Sequence, residues 1–476
     1  MNVGSLKKLA FKGVMWSLFD KVINQLGNIL LLIYLSRILS PTDFGLIAML
    51  AVFLAIAQSL VDSGFSQALI QRSKKVTEKD LSTVFYVNLV ISVFIYIILF
   101  IFSPVISDFF QQPELINLSR VLFVVIILNS IALVPRTKLI IEVDFRTQSI
   151  INAISMIVTT ILTVYMVKKG YGYWSLVGMN IIKSLTNAIL LIMLSKWYPK
   201  WLFSIRSFTS LFSFGSNLLI AGVLSTVVQN FYLILIGRYF NVVQVGYFQQ
   251  GYNYTNMLAS TISSVTQGVT YPIMTSIQED KERLVNIYEK VMGVITLITF
   301  PLFIGFAAIS REFVIIFLGE KWIPIIPIII ILSFSRLITP ISSLNLTILN
   351  ARGRSDLFLK TDLSKLPMTI ASLFIAIPYG IVGVAIAQLV TTFISFFINS
   401  YYPGKLFGYG WKEQLWQLCP IFIISLVMYF TVNLIELDDI AIQMCVKIAA
   451  GTFTYVFLCW AFRVKSFFYV IKLLIR

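Results

Sequence analysis

SRILSPTDFGL, residues 36–46, closes the first long apolar run of the chain, and GRYFNVVQVGY, residues 237–247, closes the seventh. Arg37 and Gly45 match Arg238 and Gly246 at the same eight-residue spacing. A second echo pairs GYGYWSLVG (170–178), before the sixth run, with YGIVGVAIA (379–387), before the twelfth. This repeat predicts two pseudo-symmetric lobes of six helices, residues 1–200 and 201–405, with helices thirteen and fourteen appended in 406–476. Because each lobe has an even number of spans, the second re-enters in the same orientation, and the repeat axis lies along the membrane normal.

The runs themselves set the class. The chain has 476 residues, 58% hydrophobic and 12% charged, with a mean hydropathy of +0.88. Apolar stretches of roughly 18 to 25 residues recur from end to end, each long enough to cross a bilayer. The expected fold is therefore an all-α polytopic membrane protein with about fourteen spans. The fourth, tenth and eleventh carry internal proline or charge and are the least regular. The start, MNVGSLKKLAFKGVMW, lacks a small-residue cleavage site and is expected to be a retained first helix.

A net charge of +16 raises the question of nucleic acid, but the basic residues follow topology instead of gathering on one face. One set of alternate loops holds about 26, including Lys74, Lys75, Arg136, Lys138 and Arg476; the other holds about 7. That bias predicts both termini in the cytoplasm and, in a bacterium, a multi-pass protein of the inner membrane.

Several spans carry aligned polar residues. At 100° per residue, Asp20, Lys21, Asn24, Gln25 and Asn28 occupy an arc of about 140° on the first helix. Asn180, Lys183 and Asn187 share a face of the sixth, and Gln249, Asn253 and Asn256 begin a long stripe on the eighth. Arg336 opens a similar face on the tenth. A Lys or Arg at the bilayer centre costs about 2.5 to 3.5 kcal/mol, so Lys183 and Arg336 should face protein or water. The bland alternative is interhelical glue, worth about 0.6 kcal/mol per hydrogen bond. Asp20 and Asp62 are candidates for ion coupling or for a fixed ion pair, Asp62 with Lys21 among the options. Lined by amides and net basic, such a cavity suits a polyhydroxylated anion, because amides bond hydroxyls and cations hold phosphate.

Other chemistries lack their residues. There are no histidines, which removes imidazole metal sites and Ser/His/Asp or Cys/His nucleophiles. The three cysteines offer no paired metal spacing. No phosphate-loop motif is present, and nothing calls for a cofactor. A membrane polymerase or ligase would want a sizeable outer loop with catalytic carboxylates, and the exterior loops are short.

SRILSPTDFGLIAM (36–49), DSGFSQALIQR (62–72), GYGYWSLVG (170–178), YPIMTSIQEDKERL (271–284), FLGEKWIPIIPII (317–329) and LNARGRSDLFLK (349–360) are similar to stretches of the Wzx polysaccharide flippases, especially the colanic-acid-exporter branch. These belong to the multidrug, oligosaccharidyl-lipid and polysaccharide exporter superfamily. The resemblance implies a carrier, not an enzyme, that moves an undecaprenyl-pyrophosphate-linked oligosaccharide to the periplasmic leaflet by alternating access, for surface polysaccharide or lipopolysaccharide synthesis. It implies that helices thirteen and fourteen form a lipid groove and that Lys21, Lys183 and Arg336 engage the pyrophosphate. Arg37 and Arg238 are candidate outer gate residues, and Arg352, Arg354 and Asp356 a cytoplasmic gate. Expected partners are the lipid-linked oligosaccharide, membrane lipid and a polysaccharide polymerase with its co-polymerase, with no nucleic acid. The competing reading within the superfamily is an ion-coupled multidrug antiporter, which would want acids and aromatics in place of cations.

Overall fold

A computed structural model describes residues 3–62, 64–72 and 76–474; Lys74, Lys75 and Arg476, counted above in the charge bias, lie outside the described residues. The long helices are α1 (Val3–Ile38), α2 (Pro41–Asp62), α3 (Glu78–Ile101), α4 (Leu115–Ile141), α5 (Phe145–Lys168), α6 (Trp174–Leu194), α7 (Ile205–Tyr239), α8 (Val242–Ser276), α9 (Lys281–Ala308), α10 (Glu320–Ala351), α11 (355–376), α12 (Gly380–Phe407), α13 (Trp411–Asn433) and α14 (Ile440–Ala461). No strand occurs among the described residues.

Ten helical segments are long and apolar enough to cross a membrane. One of them, 52 residues long, is the α11–α12 pair, turned at Gly380 with φ +76°, a conformation that costs glycine nothing. With α1, α7 and α8, each 35 or 36 residues long, the fourteen expected helices are present. The irregular spans are the three anticipated. α4 breaks at Phe123, α10 at Leu337 and Ile338 ahead of Pro340, and α11 at Lys365 ahead of Pro367. Proline cannot donate to the helical ladder and disfavours helical geometry in the residue before it.

The helices gather into two compact units, 1–246 and 247–476. In the first, α6 packs on α5 and α4, α1 on α5, and α7 on α2. That last contact places α7 in the first unit, so the compact units part at Gly246, whereas the repeat alone suggested a boundary at 200. In the second unit α9 packs on α13 and α10 on α12. Met428, Val432, Tyr455 and Cys459 of α13 and α14 share a buried cluster with Phe303 and Ile304 of α9. The two C-terminal helices thus pack against the core of this unit.

The repeated Arg-to-Gly spacing has a structural cause inside the first unit. Ser40 and Asp43 cap α2 reciprocally: Asp43 Oδ2 accepts from the Ser40 N–H at 2.7 Å, and Ser40 Oγ accepts from the Asp43 N–H at 3.3 Å. Asn241 caps α8 at the matching position with a single bond, its Oδ1 accepting from the Gln244 N–H at 2.9 Å. The two helix starts then meet through their glycines. A Cβ on Gly45 would lie 2.0 Å from the Val242 carbonyl oxygen, and one on Gly246 would lie 2.0 Å from the Pro41 carbonyl oxygen. Since Pro41 and Val242 are themselves repeat equivalents, the contact is reciprocal, as across a two-fold axis.

Candidate functional site

The wet face of α1 leads into a hydrogen-bonded chain through the first unit. Asp20, half-buried, accepts from Asn24 Nδ2 on Oδ1 at 2.7 Å and from Asn152 Nδ2 on Oδ2 at 3.0 Å. Asn152 Oδ1 accepts from Asn187 Nδ2 at 3.2 Å, and Asn187 Oδ1 accepts from Arg136 Nη2 at 2.9 Å. The chain joins α1, α5, α6 and α4. It begins at a cation and ends at an anion, and both amides point their NH2 groups toward the acid and their carbonyls toward the guanidinium. Aligned dipoles of this kind strengthen one another in a low dielectric.

Arg136 was expected in a cytoplasmic loop; it lies inside α4, which continues through Pro135 to Ile141. Asp62, whose Oδ1 accepts from Ser66 Oγ at 2.9 Å, attracts Arg136, and Arg136 repels Lys183. Lys21 is exposed on α1 and forms no ion pair with Asp62 among the described residues. Arg136 and Lys183 are both exposed. Asn180 instead turns its Nδ2 onto the Leu176 carbonyl of its own helix at 2.9 Å, and Gln25 and Asn28 are half-buried further along α1.

In the second unit Arg336 is 7% exposed, with its guanidinium 4.8 Å from the centroid of the Tyr252 ring. A desolvated cation over an aromatic face gains about 2 kcal/mol. Along the α8 stripe, Gln249 Nε2 donates to Asn253 Oδ1 at 2.8 Å, Asn253 Nδ2 donates to Gln250 Oε1 at 3.4 Å, and Gln267 donates to Ser343 of α10. Part of this stripe is therefore interhelical glue. Asn256 is half-buried on it.

The candidate gate residues are exposed. Arg238 donates to the Phe109 carbonyl at 2.6 Å and stacks 5.3 Å from the Phe109 ring, while Arg37 ends α1. Arg354 forks onto Asp356 with bonds of 2.9 and 2.8 Å, and Arg352 donates to the Gln278 carbonyl.

Sequence reasoning missed Asn152, the bond of Arg136 to Asn187 between α4 and α6, and a buried ion pair between Lys447 and Glu312. Asn152 is half-buried and alone on its stretch of α5 in reaching across to two other helices. Its signal was an amide in the middle of an apolar run.

Residues 34–327 match the family described as "Polysaccharide biosynthesis protein". The chain is 25% identical over 466 residues to the teichuronic acid biosynthesis protein TuaB of Bacillus subtilis, covering 95% of this chain and 96% of that one. It is 24% identical to the lipopolysaccharide biosynthesis protein WzxC of Escherichia coli, over 89% of this chain and 86% of that one. Among solved structures it superposes on the lipid II flippase MurJ in an inward closed conformation with a TM-score of 0.75 at 16% identity, covering 98% of this chain and all of the other. That likeness shows a shared fold, a multi-pass helical membrane architecture.

Proposed function

The chain belongs to the polysaccharide biosynthesis protein family, and from that premise we propose that it is a flippase for a lipid-linked oligosaccharide. In the fuller form of this reading the lipid is a polyprenyl pyrophosphate such as undecaprenyl pyrophosphate. Transport runs from the cytoplasmic to the periplasmic leaflet of the inner membrane, by alternating access, with both termini cytoplasmic. The names of its relatives place TuaB and WzxC in polysaccharide biosynthesis and MurJ in lipid flipping, which supports the class.

The observation that supports the substrate is the hydrogen-bonded chain of the first unit. Arg136 stands at its cationic end, exposed and bonded to Asn187, and Lys183 is exposed one turn before Asn187 on α6. A pyrophosphate bears charge that such cations hold by charge-assisted bonds, and the amides offer partners for sugar hydroxyls. Arg336 supplies the corresponding cation of the second unit. For the polyprenyl tail, an apolar groove of about 550 Å³ lies among Leu258 of α8, Ile298 and Leu302 of α9, Val432 of α13 and Ile448 of α14. It supports the reading of α13 and α14 as a lipid-binding pair. Lys21, Asn24, Gln25, Asn28, Asn180, Asn187, Gln249, Asn253 and Asn256 remain proposed cavity residues, and Asp20 and Asp62 proposed charge partners.

The test is export in cells that depend on this chain for their surface polysaccharide. Replacing Lys183 and Arg336 together with alanine leaves the protein in the membrane at normal level, abolishes surface polysaccharide and accumulates lipid-linked oligosaccharide. Normal export by that double variant overturns the assignment.

A further inference from the structure

The second unit contains a polar pocket that the proposed transport cavity does not use. Its volume is about 850 Å³, and Arg311, Glu312, Asn433, Glu436, Asp438 and Lys447 are among its lining residues. It opens at the lysine-poor ends of α9, α13 and α14, the extracytoplasmic side in the proposed topology.

At its base, Glu312 is 2% exposed and Lys447 6%. Glu312 Oε1 accepts twice, from Lys447 Nζ at 2.6 Å and from Gln443 Nε2 at 2.7 Å. Its Oε2 accepts no hydrogen bond among the described residues. Gln443 in turn accepts the Leu437 N–H on its Oε1 at 3.2 Å, which ties the rim segment holding Glu436 and Asp438 to the buried acid. The base thus presents an acceptor that needs a donor, and the rim adds two exposed carboxylates and the amide of Asn433.

This donor demand selects the ligand. Lys447 is already held by Glu312, so a phosphate would find Arg311 as its cation and three carboxylates against it. A metal finds no cluster of three ligating side chains among the described residues. A ligand rich in hydroxyls satisfies every feature: it donates to Glu312 Oε2 and to the rim acids while exchanging bonds with Asn433. The volume lies within the range of small-ligand pockets, about 300 to 1,000 Å³, and accommodates a short oligosaccharide.

We propose that this pocket is a saccharide-binding subsite on the exit side, where sugar hydroxyls donate to Glu312 Oε2 and the 433–438 rim. The proposal rests on the flippase reading for its biological sense, but not for its test, which reads binding alone. A free sugar and a glycolipid headgroup present the same hydroxyls, so maltotriose and dodecyl maltoside serve as the two arms.

The full-length protein is placed in nanodiscs prepared without sugar detergents, and saturation-transfer NMR is recorded against each probe at millimolar concentration. Transfer to both probes assigns the site to the sugar itself; transfer to dodecyl maltoside alone assigns it to a lipid-borne sugar. Glu312→Gln keeps an oxygen for Lys447 and Gln443 but puts a donor where Oε2 stood, and weakens binding about tenfold or more. Asn433→Leu, exposed at the rim and outside the ion pair, weakens it with no change in thermal stability. Absence of transfer to both probes, or affinities unchanged in both variants, overturns the proposal. Normal export by the Lys183 and Arg336 double variant, with saccharide binding retained here, would count against the flippase reading and leave this site standing.

Discussion

The reciprocal contact of Gly45 and Gly246 makes a quantitative demand. Gly45→Ala would set a methyl carbon 2.0 Å from the Val242 carbonyl oxygen, and Gly246→Ala would set one 2.0 Å from the Pro41 carbonyl oxygen. Real Cβ atoms essentially never approach within 3.0 Å, so the two helix starts must part by about 1 Å in either variant. Both obstacles are backbone, which cannot swing aside as a side chain would. Overpacking of this kind costs about 1–3 kcal/mol. For a unit of this size each kcal/mol lowers the melting temperature by about 2–4 °C. Thermal unfolding of the purified protein, followed by tryptophan fluorescence, should therefore show each single variant melting several degrees below the parent. The double variant is more telling. Because both methyls push the same two backbones apart, the second finds the gap already opened, and the combined loss is smaller than the sum of the single losses. Gly268→Ala is the control: its Cβ meets nothing within 4 Å, and alanine in a helix is neutral or stabilising there. Single variants that melt like the parent, or a double variant whose loss is fully additive, would refute the reciprocal packing.

Other substitutions test the polar groups. Asn152→Leu removes the bridge between Asp20 and Asn187, leaving a buried acceptor and donor unsatisfied, and should cost about 1–3 kcal/mol in the same unfolding assay. Lys447→Ala leaves Glu312 as an uncompensated buried charge and should cost about 3–5 kcal/mol, whereas Glu312→Leu with Lys447→Met recovers most of that loss. Equal melting of Lys447→Ala and the double replacement would show that the pair carries no burial penalty.

Hydropathy made the fourteen helices legible, and proline marked where α10 and α11 would break, whereas α4 breaks at Phe123 and runs through its own proline. The extra length of α1, α7 and α8 was not legible, because these helices run on through polar residues and through glycines such as Gly13 and Gly268, and α8 through Pro272, which read as breaks. A helical period also says which residues share a face without saying which faces meet. Asp20 and Asn24 could be placed together on α1, but their bond to Asn152 depends on how α1 packs against α5. Arg136 was counted with a loop, and the helix runs on past it to Ile141. The Lys447–Glu312 pair joins residues 135 positions apart, and neither stands in a polar stripe. The glycine match at 45 and 246 was visible from the start, though its meaning lay in carbonyls of the opposite repeat.

The length of α8 gives that glycine contact a mechanical side. Thirty-five residues make a rod of about 52 Å, well beyond the roughly 30 Å of hydrocarbon it has to cross. Gly246 lies on its first turn, so the contact with the Pro41 carbonyl holds the rod where it starts. A methyl there would loosen the anchorage of the whole helix at its origin.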